Sequence, residues 1–170
     1  MKKLLTLIPT VLLAATMFTA NPLAASASSV VETINGGGTS VMTDLPPGMG
    51  VTSFSVHATL YSDGTASGHV DCVDHMGDVP GYPGNIFGAI TSWSRNADGD
   101  VSLHVSDGRL IAIPGGPVVS GGLPFTLTIQ RFGGAGVGHW TLDVGIPSPF
   151  NGGPICQELL TSGQIIDRKS

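Results

Sequence analysis

The feature that most constrains the fold of this chain is an alternation of apolar and polar residues with a period of two. The segment FSVHATL (54–60) has an apolar side chain at every second position, and the pattern recurs in VSLHV (101–105), FTLTI (125–129) and WTLDV (140–144). Successive side chains of a β-strand point to opposite faces, so this period predicts strands with one buried face and one solvated face. Antiparallel sheets tolerate such one-sided burial, and an antiparallel sheet is therefore expected.

Short glycine-containing pairs separate the alternating segments. Asp63-Gly64, Asp98-Gly99, Asp107-Gly108 and Gly133-Gly134 predict hairpin turns, because glycine adopts a positive φ at no steric cost. We predict about eight strands, at 51–61, 66–74, 85–95, 100–106, 109–113, 124–132, 137–145 and 155–167. Within the last of these, residues 157–160 also match one helical turn, which is an alternative there. Many short strands joined by turns are typical of an antiparallel β-sandwich or a small β-barrel, and we predict a single all-β domain of one of these kinds.

The N-terminal region has the pattern of an export signal. Lys2 and Lys3 precede an apolar stretch from 4 to about 20, and Ala25-Ser26-Ala27 matches a signal peptidase site. We predict a signal peptide at 1–27 and a secreted, periplasmic or otherwise extracellular protein with no membrane span after cleavage. The following region, 28–50, is rich in Gly, Pro and Ser, and it predicts a flexible leader with at most one short strand before a β-domain at 51–170.

The charge balance argues against one class of partner. The sequence has 7 basic and 12 acidic residues, and cleavage would remove two of the basic ones. The remaining cations are scattered, whereas binding to a phosphate backbone needs clustered positive charge. We therefore expect no nucleic-acid partner. The sequence does not indicate which ligand or oligomeric state to expect.

The sequence contains only two cysteines, Cys72 and Cys156. Two cysteines in an exported domain usually pair, so we predict a Cys72–Cys156 disulfide.

A dense polar stretch, HVDCVDH (69–75), raises the question of a metal site. If residues 62–64 form a three-residue loop with Gly64 in the left-handed region, Val56 pairs with Val70 and buried residues face buried residues. The same register sets His57 opposite His69 on the solvated face, with Asp71 nearby. Two imidazoles and a carboxylate on one face are potential ligands of a divalent metal.

A second histidine group is an alternative at the rim of the sheet. His75, His104 and His139 would lie toward the same end in a simple meander. The sequence has no H-E-x-x-H, G-x-S-x-G or S-x-x-K motif, so the pattern favours a protein without a catalytic site or resident cofactor.

Three segments together are similar to a set of uncharacterised secreted bacterial β-domains. They are FSVHATLYSDGTASGHV (54–70), IFGAITSW (86–93) and the C-x-x-x-L…SG-x-I region from 156 to 165. Ser92 stands where that set usually has a cysteine, and Cys72 lies one strand earlier. The resemblance implies an exported β-domain and no particular chemistry.

These observations lead to three functional hypotheses. The first is an exported, non-enzymatic β-domain that binds an unidentified ligand or has a structural role. The second is a metal-binding protein or metal-dependent enzyme that uses the clustered His and Asp residues. The third is a β-barrel that carries a small apolar ligand in its lumen.

Overall fold

A computed structural model describes residues 28–45, 50–75, 84–111, 118–145 and 152–170. The predicted signal peptide at 1–27 lies outside the described residues. These residues form strands, turns and bends, with no helix and hence none long and apolar enough to cross a membrane. The ten strands are β1 (Val30–Met42), β2 (Val51–Tyr61), β3 (Thr65–Asp74), β4 (Asn85–Arg95), β5 (Val101–Ile111), β6 (Val118–Arg131), β7 (Gly133–Gly134), β8 (His139–Asp143), β9 (Cys156–Leu160) and β10 (Gln164–Lys169).

Eight of the strands close into an antiparallel barrel. Strands β1 to β6 pair in chain order, β6 pairs with β8, β8 with β9, and β9 returns to β1. Strands β7 and β10 are additional. The predicted all-β antiparallel fold is confirmed, and of the two architectures considered the structure is the barrel, which leaves no open edge around the ring.

The last two strands run one after the other along β1. Met42 pairs with Glu158 on β9, and Gly37 pairs with Gln164 on β10, so both strands extend the same antiparallel ladder. Residues 161–163 interrupt it. The strand predicted at 155–167 is therefore present as two pieces, and residues 157–160 are extended rather than helical.

The segment predicted as a flexible leader contains a long central strand instead. Strand β1 pairs with β2 over nearly its whole length and closes the ring through β9. Its glycines explain why the sequence looked like a linker. A Cβ added at Gly38, whose φ is +154°, would lie 2.1 Å from the carbonyl oxygen of Ser162, so this close strand approach requires glycine. Residues 30–42 therefore belong to the β-domain, which was predicted to start at 51.

Asp107-Gly108 lies within a strand and is not a turn. The two strands predicted at 100–106 and 109–113 are the single strand β5, with a break in its pairing to β6 between Val105 and Gly108. A Cβ at Gly108 would lie 2.5 Å from a ring carbon of Phe125, so the glycine makes room for an aromatic ring. Between residues 100 and 132 the chain therefore reverses once, whereas the sequence pattern predicts two reversals.

Side chains fill the barrel interior. The inward positions of each strand carry the buried apolar residues, and the rings of Phe54 on β2 and Trp140 on β8 stack across the lumen with centroids 4.2 Å apart. Leu60, Leu103 and Leu127 are fully buried. The barrel thus encloses a packed core, as small eight-stranded barrels usually do.

The two ends of the barrel differ. At one end, here called the short-turn end, β2 to β3, β4 to β5 and β6 to β8 are joined through residues 62–64, 96–100 and 132–138. At the other, the long-loop end, the connections are residues 43–50, 75–84, 112–117 and 144–155. The register at the first turn is the predicted one: Leu60 pairs with Ala66, and Gly64 has a φ of +84°.

Candidate functional site

A small group of polar side chains is buried inside the barrel near the long-loop end. Glu158 on β9, Thr52 on β2 and Ser40 on β1 form this interior polar cluster. The Thr52 hydroxyl donates to Oε2 of Glu158, and the hydroxyls of Ser40 and Thr52 are 2.8 Å apart. Glu158 and Ser40 are 0% exposed and Thr52 is 1% exposed. Burial of a carboxyl group is costly unless it is well bonded or neutral.

The surroundings of Glu158 favour its neutral form. Burial raises the pKa of Glu158 to about 7, the hydrogen bonds from Thr52 and Ser40 oppose this rise, and the carboxylates of Asp74 and Asp44 add to it. Its second oxygen, Oε1, is buried and has no hydrogen-bond partner among the residues that the structure describes. The pKa of Glu158 therefore lies near neutral pH, well above the pKa of an exposed glutamate.

The two cysteines also meet in this interior region. Both are free thiols, so the predicted disulfide is not formed in this structure, although the two side chains are hydrogen bonded to each other. That hydrogen bond and burial raise the pKa of Cys72 well above its ordinary value. For Cys156 the hydrogen bond lowers the pKa, but burial outweighs it and the pKa of Cys156 is also raised. Neither thiol is activated as a nucleophile.

The interior groups are closed off from solvent. Cys72 is 2% exposed, Cys156 is 4% exposed and Glu158 is fully buried. A dissolved ligand would have to open the barrel to reach them. The shifted pKa values therefore reflect burial in a core, and a site for an external ligand must be sought elsewhere.

An open groove of about 470 Å³ lies on the outside of the barrel. Four of its polar side chains stand side by side on neighbouring strands, because Ser92 pairs with His104, His104 with Thr126, and Thr126 with Asp143. The other lining residues are Thr91, Val105, Ser106, Pro124, Phe125, Val144 and Gly145. We call this surface the outer groove.

Hydroxyl groups hold His104 in the centre of the outer groove. Its Nε2 atom is 3.1 Å from the Ser94 hydroxyl, and its Nδ1 atom is 3.1 Å from the Thr126 hydroxyl. Because hydroxyls occupy both ring nitrogens, no carboxylate orients the imidazole as in a Ser-His-Asp triad. The imidazole therefore positions the Thr126 hydroxyl, which can make a further hydrogen bond to a ligand, and the arrangement does not suit proton transfer.

The outer groove and the shifted pKa values point to different parts of the molecule. Perturbed titratable groups often mark functional sites, but buried structural groups are perturbed as well. Ligand sites are concave and accessible, with a few converging polar groups on an apolar base. The outer groove meets these conditions and the interior does not, so we take the outer groove as the candidate site.

The predicted metal ligands on β2 and β3 have the expected register. His57 pairs with His69, and their ring centroids are 6.2 Å apart. His69 Nε2 is 3.6 Å from Oδ2 of Asp71, while His57 Nδ1 is hydrogen bonded to Asn35. Among the described residues, no group of three His, Cys, Asp or Glu side chains is arranged to hold a metal ion. A metal at His57, His69 and Asp71 stays a prediction.

The alternative rim group does not assemble. His75 follows β3 at the long-loop end and is 2.7 Å from the Ser53 hydroxyl, whereas His139 begins β8 at the short-turn end. Burial and the nearby Arg131 lower the pKa of His139. His104 lies between these two ends. The prediction that these three histidines share one end was wrong, because Asp107-Gly108 does not reverse the chain.

Glu158 is the residue that the sequence analysis missed. In CQELL (156–160), Glu158 is two residues from both Cys156 and Leu160, so it lies on the same, inward face of the strand as they do. A carboxyl at an inward position was the available signal. It was masked because 157–160 also matched a helical turn.

Comparison with known proteins gives no relative. No family model, no curated protein and no solved structure matches this chain.

Proposed function

We propose that this protein is an exported, non-enzymatic binding module whose outer groove takes a neutral oligosaccharide. The observation that carries the proposal is the row of Ser92, His104, Thr126 and Asp143, which crosses four neighbouring strands along an open groove. A row of this kind offers donors and acceptors to a ligand that lies across the strands.

The chemistry of the groove lining supports a sugar. Hydroxyl and imidazole groups line the groove together with the apolar side chains of Pro124 and Val144. Sugars present hydroxyl groups together with apolar C–H faces, so both kinds of surface would be used. No lysine or arginine lines the groove among the described residues, and Asp143 supplies its one carboxylate. An anionic ligand would meet that carboxylate without a cation to balance its own charge.

The other hypotheses have less support. A carrier of apolar ligands needs space in the lumen, where Phe54 and Trp140 are stacked against each other. A metal at His57 and His69 would have two imidazoles on an exposed face, and one of them is already bonded to Asn35. Export is proposed from the signal-like residues 1–27.

Isothermal titration of the purified protein with neutral oligosaccharides tests this function. Acidic oligosaccharides and fatty acids serve as comparison ligands. We expect binding of a neutral oligosaccharide that Thr126→Val weakens about tenfold, the effect of losing one good hydrogen bond. Thr59→Val, on the outer face of β2 away from the groove, is the matched control and should bind normally. The absence of binding to every neutral oligosaccharide tested, or equal affinity of the two variants, would overturn the proposal.

A further inference from the structure

We infer that Cys72 and Cys156 form a disulfide that crosses the barrel interior from β3 to β9. The inference rests on the proposed export, because a disulfide persists only in an oxidising compartment. It goes beyond that proposal in assigning a covalent cross-link to two side chains that are thiols in this structure.

The two side chains meet through the lumen rather than along the sheet. Strands β3 and β9 are not neighbours, since β2 and β1 lie between them in the ring. Cys72 pairs in register with Phe54 on one side and Ile86 on the other, and Cys156 pairs with Leu142. Both cysteines nevertheless belong to the same buried cluster and are hydrogen bonded to each other. The two cysteines therefore meet because both side chains point into the lumen.

Oxidation of this pair requires an external disulfide as oxidant. One cysteine thiolate attacks a sulfur of a small-molecule disulfide such as oxidised glutathione, which forms a mixed disulfide and releases one glutathione thiolate. The second cysteine then attacks the protein sulfur of that mixed disulfide. This step forms the Cys72–Cys156 bond and releases the second glutathione, and the two thiol protons end on the two released thiols.

The burial of the pair sets when this exchange occurs. Cys72 and Cys156 are 2% and 4% exposed in the closed barrel, and neither thiol has a lowered pKa, so the oxidant reaches a thiolate only before closure or on opening. Once formed, the bond is shielded in the same way from reduction. We infer that it forms during folding and persists afterwards.

The position of the bond gives it a specific mechanical role. Cys72 lies two residues before the end of β3, and Cys156 is the first residue of β9, so the bond lies at the long-loop end. The strands it joins are followed or preceded by long connections of residues 75–84 and 144–155. A cross-link across the lumen holds the end of the barrel that the shortest turns do not hold, mainly by limiting the freedom of the unfolded chain.

The test uses the full chain, unfolded and reduced, then refolded in a glutathione redox buffer and analysed by intact mass. We expect a product lighter by two hydrogen atoms, with one intramolecular Cys72–Cys156 link in its non-reduced peptide map. Recovery of the refolded protein with two alkylatable thiols, or as a disulfide-linked dimer, would overturn the inference. Because refolding is carried out in vitro, its result is independent of export, which cell fractionation tests separately.

Thermal unfolding of the oxidised protein, and of protein reduced in urea and then refolded in reductant, supplies a second readout. Reduction should lower the Tm of the wild-type protein by about 10 °C. Cys72→Ala with Cys156→Ala should be insensitive to reductant and unfold near the reduced wild type. Equal Tm values of the oxidised protein and of the protein reduced in urea would count against the cross-link. In reduced, folded protein, alkylation of both thiols should be orders of magnitude slower than in urea, whereas rapid alkylation would contradict the shielding.

Discussion

Arg95, at the end of β4, donates a hydrogen bond to the buried carboxylate of Glu32 on β1. The two strands are separated in the ring by β2 and β3, so this ion pair links positions across the short-turn end. Arg95 also donates to the carbonyl oxygen of Gly99 at 2.6 Å, which attaches the β4–β5 turn to the same contact. One side chain thus connects β1, β4 and a hairpin turn.

Removal of Arg95 should destabilise the barrel because it leaves Glu32 without its charge partner. The side chain of Glu32 is 4% exposed and that of Arg95 is 31% exposed. For Arg95→Ala we expect a loss of about 2–3 kcal/mol in urea unfolding, less than for a fully buried pair because Arg95 is partly solvated. Arg95→Met with Glu32→Leu should recover most of the loss, because no unpaired charge remains buried. An Arg95→Ala variant as stable as the wild type would contradict this account.

Glu158 should make the protein less stable as pH rises through the neutral range. Its pKa is raised from 4.5 to about 7 in the folded state, so the folded protein holds this proton where the unfolded chain releases it. This contribution is fully present below about pH 4.5 and is lost as pH rises through about 7, on the order of 3 kcal/mol in total. Asp74, Asp44, Cys72 and Cys156 face the same group, and all four remain in Glu158→Gln, which removes the titrating carboxyl alone.

Urea unfolding of the wild type and of Glu158→Gln at about pH 5 and about pH 8.5 measures this effect. The variant should lose less stability than the wild type between the two conditions. Asp143→Asn, which alters an exposed carboxyl group, should follow the wild type. Parallel pH profiles for the wild type and Glu158→Gln would show that Glu158 is not the titrating group.

Gly38 should tolerate no side chain. An alanine there would meet the Ser162 carbonyl at 2.1 Å with a φ of +154°, so we expect Gly38→Ala to cost about 2–5 kcal/mol from steric overlap and backbone strain. Gly134→Ala is the matched control, because the nearest atom to its added Cβ is 3.9 Å away. Thermal unfolding compares the two. Equal stability of the two variants would mean that β1 does not approach residue 162 as closely as described.

Added Zn²⁺ should bind only weakly at His57 and His69. The two rings are 6.2 Å apart, but Asn35 engages one nitrogen of His57. Elemental analysis of protein purified without an affinity tag should therefore show well under one equivalent of metal. Titration of Zn²⁺ should give weak binding that His69→Ala removes and His139→Ala retains. Stoichiometric metal in the purified protein would instead favour the metal hypothesis.

The two-residue period carried most of the information about the fold. The alternation in 54–60 and the loop at 62–64 predict the pairing of Val56 with Val70 and of His57 with His69, and the structure has both. These are local relations, set by a turn and by matching buried faces. The strand at 51–61 also follows from alternation alone, and the predicted strand 124–132 covers the second part of β6.

Features that depend on distant segments could not be predicted in this way. The glycines of β1 resemble a linker until Ser162 and Gln164 are brought against them. The contact between Glu158 and Thr52 depends on closure of the ring between β9 and β1. The outer groove similarly requires four strands in register, and the sequence shows its residues only as separate polar positions.

The two ends of the described chain have a practical consequence for any attachment. Val30 pairs with Tyr61, and the Ser170 amide donates to the carbonyl of Val31, so residues 30 and 170 both emerge at the short-turn end. A tag, tether or neighbouring domain joined at either position would lie at the short-turn end of the barrel. Immobilised by such a handle, the molecule would turn the short-turn end of its barrel toward the support and the C-terminal ends of β1, β3 and β5 away from it.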